Sequence, residues 1–576
     1  MKNHFDVIIV GSGVAGALTA CKLLALNPER KILILEAGDN EITHGQRVEF
    51  HHVMDQQGAR GDMYAPYAEL PSKFFAPAPE LAQKELKEQK DELAKGNPKA
   101  YYDYTSDSVD AFKAGYNRMV GGSTWSWRGN TPRYLPKDFK LFTHYGVGCD
   151  WPIDYRVIEP WYCEAEHELG VSGNHDELDG LFGGFRSKAF PMPGIPLTFS
   201  DHQIKAKIDK KTVRGTKIRV TTTPQARNSK QYDNRPACEG HSNCIPLCPI
   251  GAKYDATVHL RRALSYKHVE LRKACVVFRL EKDTHGRVKT VHYKNWKGGV
   301  IADQTATGKV VVLAANAIET PKLLLMSDNL ANSSDQVGRN LMDHAQFEVI
   351  AMFPTPVYPF RGPQSVTAIE NFRDGDFRKE RSGFRMTIGN DGWGRAGSPA
   401  TVIDGLLKAG AYGSALPVAI ADQIPKMIRL SFSTEMLPDP NNRIEVSTTK
   451  FDAKLGLPLP MLTFNIGKYV KDGLREGYAT ALELFNKMGA TVKEEKVLEP
   501  GGGVFNWNTA AHIMGTCIMG DKKSNSVVNK WGRTHDVENL WIVGASVFCT
   551  SATSNPTITI AALALRTAKA IHATLR

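Results

Sequence analysis

The stretch Phe5-Asp-Val-Ile-Ile-Val10 runs directly into Gly11-Ser-Gly13-Val-Ala-Gly16, and an apolar segment follows through Leu26. A short apolar strand that ends in G-x-G-x-x-G and opens a helix commits the start of the chain to one kind of unit, a dinucleotide-binding turn. Gly11 makes the tight turn, Gly13 lets the backbone approach a pyrophosphate, and Gly16 allows close helix–strand packing. The helix N-terminus then offers N–H groups and a favourable dipole to phosphate. A second strand, Lys31-Ile-Leu-Ile-Leu35, ends at Glu36, twenty residues after Gly16. An acid at that place suits a ribose hydroxyl and disfavours a 2′-phosphate.

This reading also settles the apolar N-terminus. Asp6 and the glycine turn interrupt it, so it is expected to be strand, turn and helix and not an export signal. No stretch reaches the roughly 18 apolar residues a spanning helix needs. The chain is therefore expected to carry no export signal and no membrane anchor of its own. At 576 residues and 42% hydrophobic content it is long enough for two or more interleaved domains. The net charge of +11 would favour anionic partners. No run of five Lys/Arg occurs, and no basic stripe interleaves with aromatics, so a mildly basic enzyme surface is expected and nucleic acid is not. QKELKEQKDELAKG (83–96) has the Glu/Lys spacing of a charged helix, with a lid or partner contact as the alternative. Leu437-Pro-Asp-Pro-Asn-Asn442 reads as a turn between strands.

Three of the nine cysteines fall in CEGHSNCIPLCPIG (238–251), spaced C-x5-C-x3-C. The other six, Cys21, Cys149, Cys163, Cys275, Cys517 and Cys549, are scattered and read as small buried apolar residues. Three clustered thiols could bind zinc or a 4Fe-4S cluster with His241 as a fourth ligand, form a disulfide and leave one thiol free, hold an iron–sulfur cluster alone, or be plain core cysteines. Structural zinc favours knuckles of C-x2–4-C type, which this is not. Pro249 follows Cys248 as in the bacterial ferredoxin run. Gly240 and Gly251 loosen the backbone so that amides can face sulfur. Three cysteines leave one corner of an iron–sulfur cube empty, which is the composition of a 3Fe-4S cluster.

Four further stretches bear on the cofactor: NRMVGGSTWSW (117–127), KVVVLAANAIETPKLLLMS (309–327), AAHIMGTCIMG (510–520) and NLWIVGASVFCTSATSNPTITIAALALRTAKAIHATLR (539–576). Together they strongly resemble the glucose–methanol–choline (GMC) oxidoreductase family of flavoproteins, in that family's order from residue 5 to the C-terminus. VGGSTWSW, RPACEGHSNCIPLCPIGAKY, AANAIETPKLLLMS, VGRNLMDH and SVVNKWGRTHDVENL look most like one branch. That branch comprises the catalytic large subunits of bacterial membrane-associated glucose, fructose and sorbitol dehydrogenases.

The resemblance implies an α/β fold, an FAD-binding Rossmann-like domain interrupted by a substrate domain on an antiparallel sheet. FAD-binding parts are expected at 1–45, 110–150, 215–345 and 500–576, and substrate or cap parts at 46–109, 151–214 and 346–499. It implies FAD held by Gly11, Gly13, Gly16 and Glu36, by Val120, Gly121, Gly122, Ser123 and Thr124, by Val276 through its backbone, and by Gly544 and Ala545. Related flavoproteins often carry a His beside these tryptophans, in some bonded to the flavin. Ser126 stands between Trp125 and Trp127 here, so non-covalent FAD is expected.

Oxidising an alcohol requires a base for the hydroxyl proton and a donor for the developing alkoxide, while FAD supplies the hydride acceptor. A neutral His suits the first role and an amide the second. The family's H-x-x-G-T and its later His or Asn fall here on His512 and Asn555, implied as general base and orienting donor. His344 in MDHAQFEV and His535 in RTHDVENL are read as structural. The branch also has the C-x5-C-x3-C spacing, which implies Cys238, Cys244 and Cys248 as ligands of a 3Fe-4S cluster. That cluster would let two-electron chemistry discharge singly to a cytochrome. The implied function is oxidation of a sugar or polyol hydroxyl. A glycoside 3-dehydrogenase acting on a disaccharide or glucoside, an oxygen-using oxidase with a structural metal, and a non-catalytic electron-transfer flavoprotein are the alternatives. The branch further implies a small chaperone-like subunit that exports the complex, a multihaem cytochrome c subunit as the membrane contact, and the periplasmic face of a bacterial inner membrane, with a cytoplasmic enzyme as the alternative.

Overall fold

The computed structural model describes residues 4–43, 45–48, 102–110, 112–178, 180–241, 244–245, 247–297, 301–390, 399–452, 455–493 and 507–575. The charged stretch 83–96 lies outside the described residues.

The strand His4–Val10, the helix Val14–Leu26 and the strand Ile32–Leu35 form the expected opening unit. His4–Val10 pairs in parallel with Ile32–Leu35 on one side and with Ala302–Leu313 on the other. Val269–Arg272 extends the sheet beyond Ile32–Leu35, and Leu540–Ile542 joins the far end of Ala302–Leu313, both in parallel. The near end of Ala302–Leu313 continues antiparallel into Val288–Asn295 and Cys275–Lys282. Parallel strands are covered on both faces, so they read as unbroken apolar runs. ILIL at 32–35 is buried at every position. The closing helix Thr557–Thr574 packs against Val14–Leu26 and against Tyr155–Leu169.

A second seven-stranded sheet is antiparallel. Ala345–Met352 pairs with Met427–Thr434, which pairs with Phe384–Gly389, then Thr367–Ile369 and Val220–Thr222. The amphipathic helix Gly467–Met488 covers its back through Val470, Leu474, Tyr478, Ala481 and Phe485. Gly477 has no side chain because Phe432 lies there: an added Cβ would come within 2.3 Å of that ring. Side chains alternate across a strand, so Ser431 and Ser433 face away from this helix. That alternation gives the sheet an apolar back and a polar front. Between Met427–Thr434 and Arg443–Phe451 the chain turns at 437–442 as expected, closed by Asn442 N–H donating to the Asp439 carbonyl at 3.0 Å. One apolar core runs continuously through both sheets. This is the mixed α/β architecture with an antiparallel second sheet that the resemblance implies.

Candidate active site

A single long cavity passes from Gly11 and Glu36, by Val276 and the 115–124 turn, to His512 and Asn555. At its first end Gly11 has φ +99°, and a Cβ there would lie 2.6 Å from the Ala314 carbonyl oxygen. Gly16 sits behind the wall, where a Cβ would meet the Gly11 carbonyl at 2.1 Å; its role is the close helix–strand approach. Gly13 has no atom within 4 Å of that position, so the space before the helix N-terminus is open to a phosphate. Glu36 lines the cavity and also ties the turn: one oxygen accepts from Ser12 N–H at 2.9 Å and Ser12 Oγ–H at 2.6 Å, the other from Gly38 N–H at 2.9 Å. Burial pushes its carboxyl above the usual range against those three bonds.

The 117–124 turn meets this wall. Gly122, at φ +58°, would place a Cβ 3.2 Å from Gly13 Cα, so the two glycine loops touch. Gly122, Ser123 and Thr124 line the cavity, whereas Val120 and Gly121 stand one layer behind. Val120 N–H donates to Asn40 Oδ1 at 2.6 Å and Gly121 N–H to Ser12 Oγ at 3.1 Å, so both amides are bonded within the protein. Val276, Gly544 and Ala545 also line the cavity. The side-chain oxygen of Asn130, also on the wall, is buried with no hydrogen-bond partner in the protein. The open glycine turn, the carboxylate at the ribose position and this orphaned acceptor fit a flavin dinucleotide. Ser126 is buried and accepts from Asn117 Nδ2 at 3.2 Å.

At the far end, His512 Nε2 lies 3.0 Å from Asn555 Nδ2. The two come from separate elements. Residues 508–514 pair antiparallel with 342–346, through Ala345 with Thr509, Gln346 with Asn508 and Met342 with Met514. Gly515 permits this, since a Cβ there would be 1.9 Å from the Asn340 carbonyl oxygen. Asn555 closes the 549–556 loop, which Arg373 holds by donating to Thr553 Oγ1 at 3.0 Å.

Pairing of those segments also brings His344 onto His512. Their Nδ1 atoms are 2.8 Å apart and their rings nearly perpendicular, at 87°. His344 is fully buried, as a structural residue would be, but its contact is with the candidate base itself. Burial lowers its pKa to about 4. Asp343 beside it accepts backbone N–H bonds from His344 at 2.7 Å and His512 at 2.8 Å, and burial raises its pKa to about 6. His535 stays structural: its Nε2 is 3.0 Å from Ser526 Oγ in the turn before the strand Leu540–Ile542.

The cysteine loop lies directly behind the tryptophan segment. Arg227 Nη1 donates to Cys244 Sγ at 2.8 Å. The buried Lys253 ammonium donates to the Cys244 carbonyl at 2.8 Å, the Trp125 carbonyl at 2.9 Å and the Trp127 carbonyl. All nine cysteines are free thiols, so the disulfide reading has no pair here. His241, the ligand required by the zinc reading, is exposed and faces Glu239 at 3.7 Å. Among the described residues, no three His, Cys, Asp or Glu side chains converge on a metal position. The donor set of three soft thiols beside two cations fits iron–sulfur chemistry, but the thiols do not stand in a ligating array.

Sequence reasoning passed over the cavity's other wall. Gln346, Arg385, Thr387, Ser431 and Ser433 line it from three adjacent strands. Register puts Gln346, Ser433 and Arg385 in one row and Thr387 beside Ser431 in the next, their hydroxyls 2.7 Å apart. The signal was the period of two in MIRLSFST, with Arg429, Ser431 and Ser433 alternating with Ile428, Leu430 and Phe432.

Family models described as GMC oxidoreductase match residues 199–346 and 438–564. The chain is 35% identical to the fructose dehydrogenase large subunit of Gluconobacter japonicus, over 98% of this chain and 97% of that protein. It is 27% identical to 2-methyl-1,2-propanediol dehydrogenase of Mycolicibacterium austroafricanum, over 98% of this chain and 94% of that one. The solved pyridoxine 4-oxidase of Mesorbium loti shares the fold at a TM-score of 0.60 and 17% identity, covering 99% of both chains. No helix among the described residues is long and apolar enough to cross a membrane.

Proposed function

The chain belongs to the GMC oxidoreductase family, whose members act on alcohol groups with FAD, and we propose that it dehydrogenates a hydroxyl of a sugar or polyol with His512 as base. One observation carries this reading: His512 Nε2 and Asn555 Nδ2, 3.0 Å apart, face the same cavity as a polar wall of strand residues. A substrate carbon that bears the reacting hydroxyl would sit between that pair and the flavin. His512 takes the hydroxyl proton at Nε2, and Asn555 donates to the same oxygen as negative charge develops on it. FAD, when bound, supplies the hydride acceptor. Gly11, Gly13, Glu36, Gly122, Ser123, Thr124, Val276, Gly544 and Ala545 line its binding cavity, and Gly16, Val120 and Gly121 support that wall from behind. Ser126 favours a non-covalent flavin. In this reading 1–45, 110–150, 215–345 and 500–576 bind FAD, and 46–109, 151–214 and 346–499 form the substrate or cap part.

Cys238, Cys244 and Cys248 would hold a 3Fe-4S cluster, which supplies one-electron chemistry. The terminal acceptor is then a cytochrome subunit; the likeness to a dehydrogenase large subunit supports partner chains, and this reading counts a small export subunit among them. In this reading the chain sits on the periplasmic face of the inner membrane, reached through those partners.

The test is anaerobic mixing of the flavin-loaded protein with a panel of sugars and polyols. At least one sugar bleaches the flavin, and His512→Ala slows that step by about 10²–10⁴-fold. Bleaching by no sugar or polyol, or an unchanged rate in His512→Ala, would overturn the reading.

A further inference from the structure

We infer that His344 is a positioning residue that fixes the tautomer of His512 and so aims its lone pair into the cavity. This rests on His512 being the base. His344 Nε2 lies 2.9 Å from the Ala552 carbonyl oxygen and 3.1 Å from that of Ser551. Carbonyl oxygens only accept, so Nε2 of His344 carries a hydrogen. A neutral His344 then has its lone pair on Nδ1, the atom 2.8 Å from His512 Nδ1. His512 Nδ1 must therefore be the donor in that contact. Its second nitrogen, Nε2, keeps the lone pair, and Asn555 Nδ2–H donates to it in the resting site. The chain of assignments starts from two backbone carbonyls, so it does not depend on how the Asn555 amide is turned.

The surroundings keep His344 neutral. Asp343, on the same loop, spends its carboxylate on two backbone N–H groups and the Thr509 hydroxyl. Asp138, from the turn Pro136–Phe139, is paired with Arg378 at 2.8 Å. His512 is the titratable side chain in contact with the ring, and burial opposes a charge on His344. The 551–552 carbonyls that orient His344 belong to the loop that delivers Asn555. Ser551 Oγ anchors that loop, donating to the Met436 carbonyl at 2.9 Å and accepting from Met436 N–H at 2.8 Å. Both halves of the proton-handling pair are thus set by one short stretch of backbone. When His512 takes a proton at Nε2, its Nδ1–H remains bonded to a neutral acceptor, which supports the imidazolium without burying a second charge.

The experiment compares His344→Ala and His344→Asn with the wild-type holoenzyme, using the sugar that bleaches the flavin. His344→Ala removes the acceptor. Its kcat falls about 100-fold with KM within about threefold, and the acid limb of kcat/KM moves to lower pH because the imidazolium loses its partner. His344→Asn leaves an amide oxygen near the old Nδ1 position and recovers kcat to within about tenfold of wild type. A readout independent of turnover is carbethoxylation by diethyl pyrocarbonate, which attacks unprotonated imidazole nitrogen. In folded wild-type protein His512 is labelled and His344 is not. Should His344→Ala lose its flavin, His344→Asn and the wild-type labelling carry the test. An unmoved kcat and acid limb in His344→Ala, while His512→Ala is inactive, would overturn this inference alone. Labelling of His344 as fast as His512 would overturn it too. An active His512→Ala would instead remove the base assignment beneath it.

Discussion

Lys253 joins two loops that are far apart in sequence: its ammonium donates to the Cys244 carbonyl at 2.8 Å and to the Trp125 carbonyl at 2.9 Å. The first loop carries the cysteines and the second leads to Trp127, which lines the cavity. A buried cation clasped by three carbonyls is a short, rigid link between the two. Replacing it leaves those carbonyls without their donor. Lys253→Met should therefore cost about 1–3 kcal/mol of stability, read as a lower Tm, and should lower iron and flavin content together. Loss of neither would mean the link is not what holds the loops in register.

The glycines of the first turn should separate by role. Gly16→Ala would drive a Cβ into the Gly11 carbonyl at 2.1 Å, so the protein should fail to accumulate in folded form. Gly13→Ala meets nothing within 4 Å in the protein and should fold normally. It should still bind FAD at least about tenfold more weakly, because the methyl occupies the pyrophosphate's approach. Flavin titration of the apoprotein checks both.

Burial holds Asp343 protonated to a pH of about 6, against an unperturbed value near 4. A carboxyl raised on folding favours the folded state most below its unfolded pKa, and that contribution is lost as pH rises through the folded pKa. Ionised Asp343 therefore costs the native state about 3 kcal/mol at neutral pH. Denaturant unfolding should lose stability between pH 4 and 6, and Asp343→Asn should flatten that slope. An identical slope in the variant would contradict the assignment.

The polar strand face makes a prediction about binding. Ser433 and Ser431 line the cavity from the strand wall. Removing one hydroxyl should cost roughly 1 kcal/mol of substrate binding. Ser433→Ala should raise KM for the reactive sugar about fivefold and leave kcat nearly unchanged. A fall in kcat with KM unchanged would place Ser433 with the proton-handling pair instead.

What the sequence made legible follows from distance along the chain. Gly11, Gly13, Gly16 and Glu36 could be placed because strand, turn, helix and strand are local and each glycine answers a local clash. His512 and Asn555 could be named from motifs, and they do meet. The 2.8 Å approach of His344 to His512 could not be read, because it depends on pairing 342–346 with 508–514 across the chain. The partners of the Val120 and Gly121 amides could not be read either. A glycine pair signals close approach but not to what, and here Asn40 and Ser12 take the amides. The polar strand wall was hidden because alternation tells which residues share a face, not which face meets the cofactor.

Electrons taken from a sugar should reach the cysteine loop. The most direct measurement is the EPR spectrum of anaerobically purified, flavin-loaded protein, recorded before and after adding the sugar that bleaches the flavin, with Cys244→Ser alongside. The account predicts a three-iron signal in the oxidised protein that disappears as the flavin bleaches and is missing from Cys244→Ser. A protein that bleaches with sugar yet is EPR-silent in both states, with zinc or no metal at the loop, would contradict it.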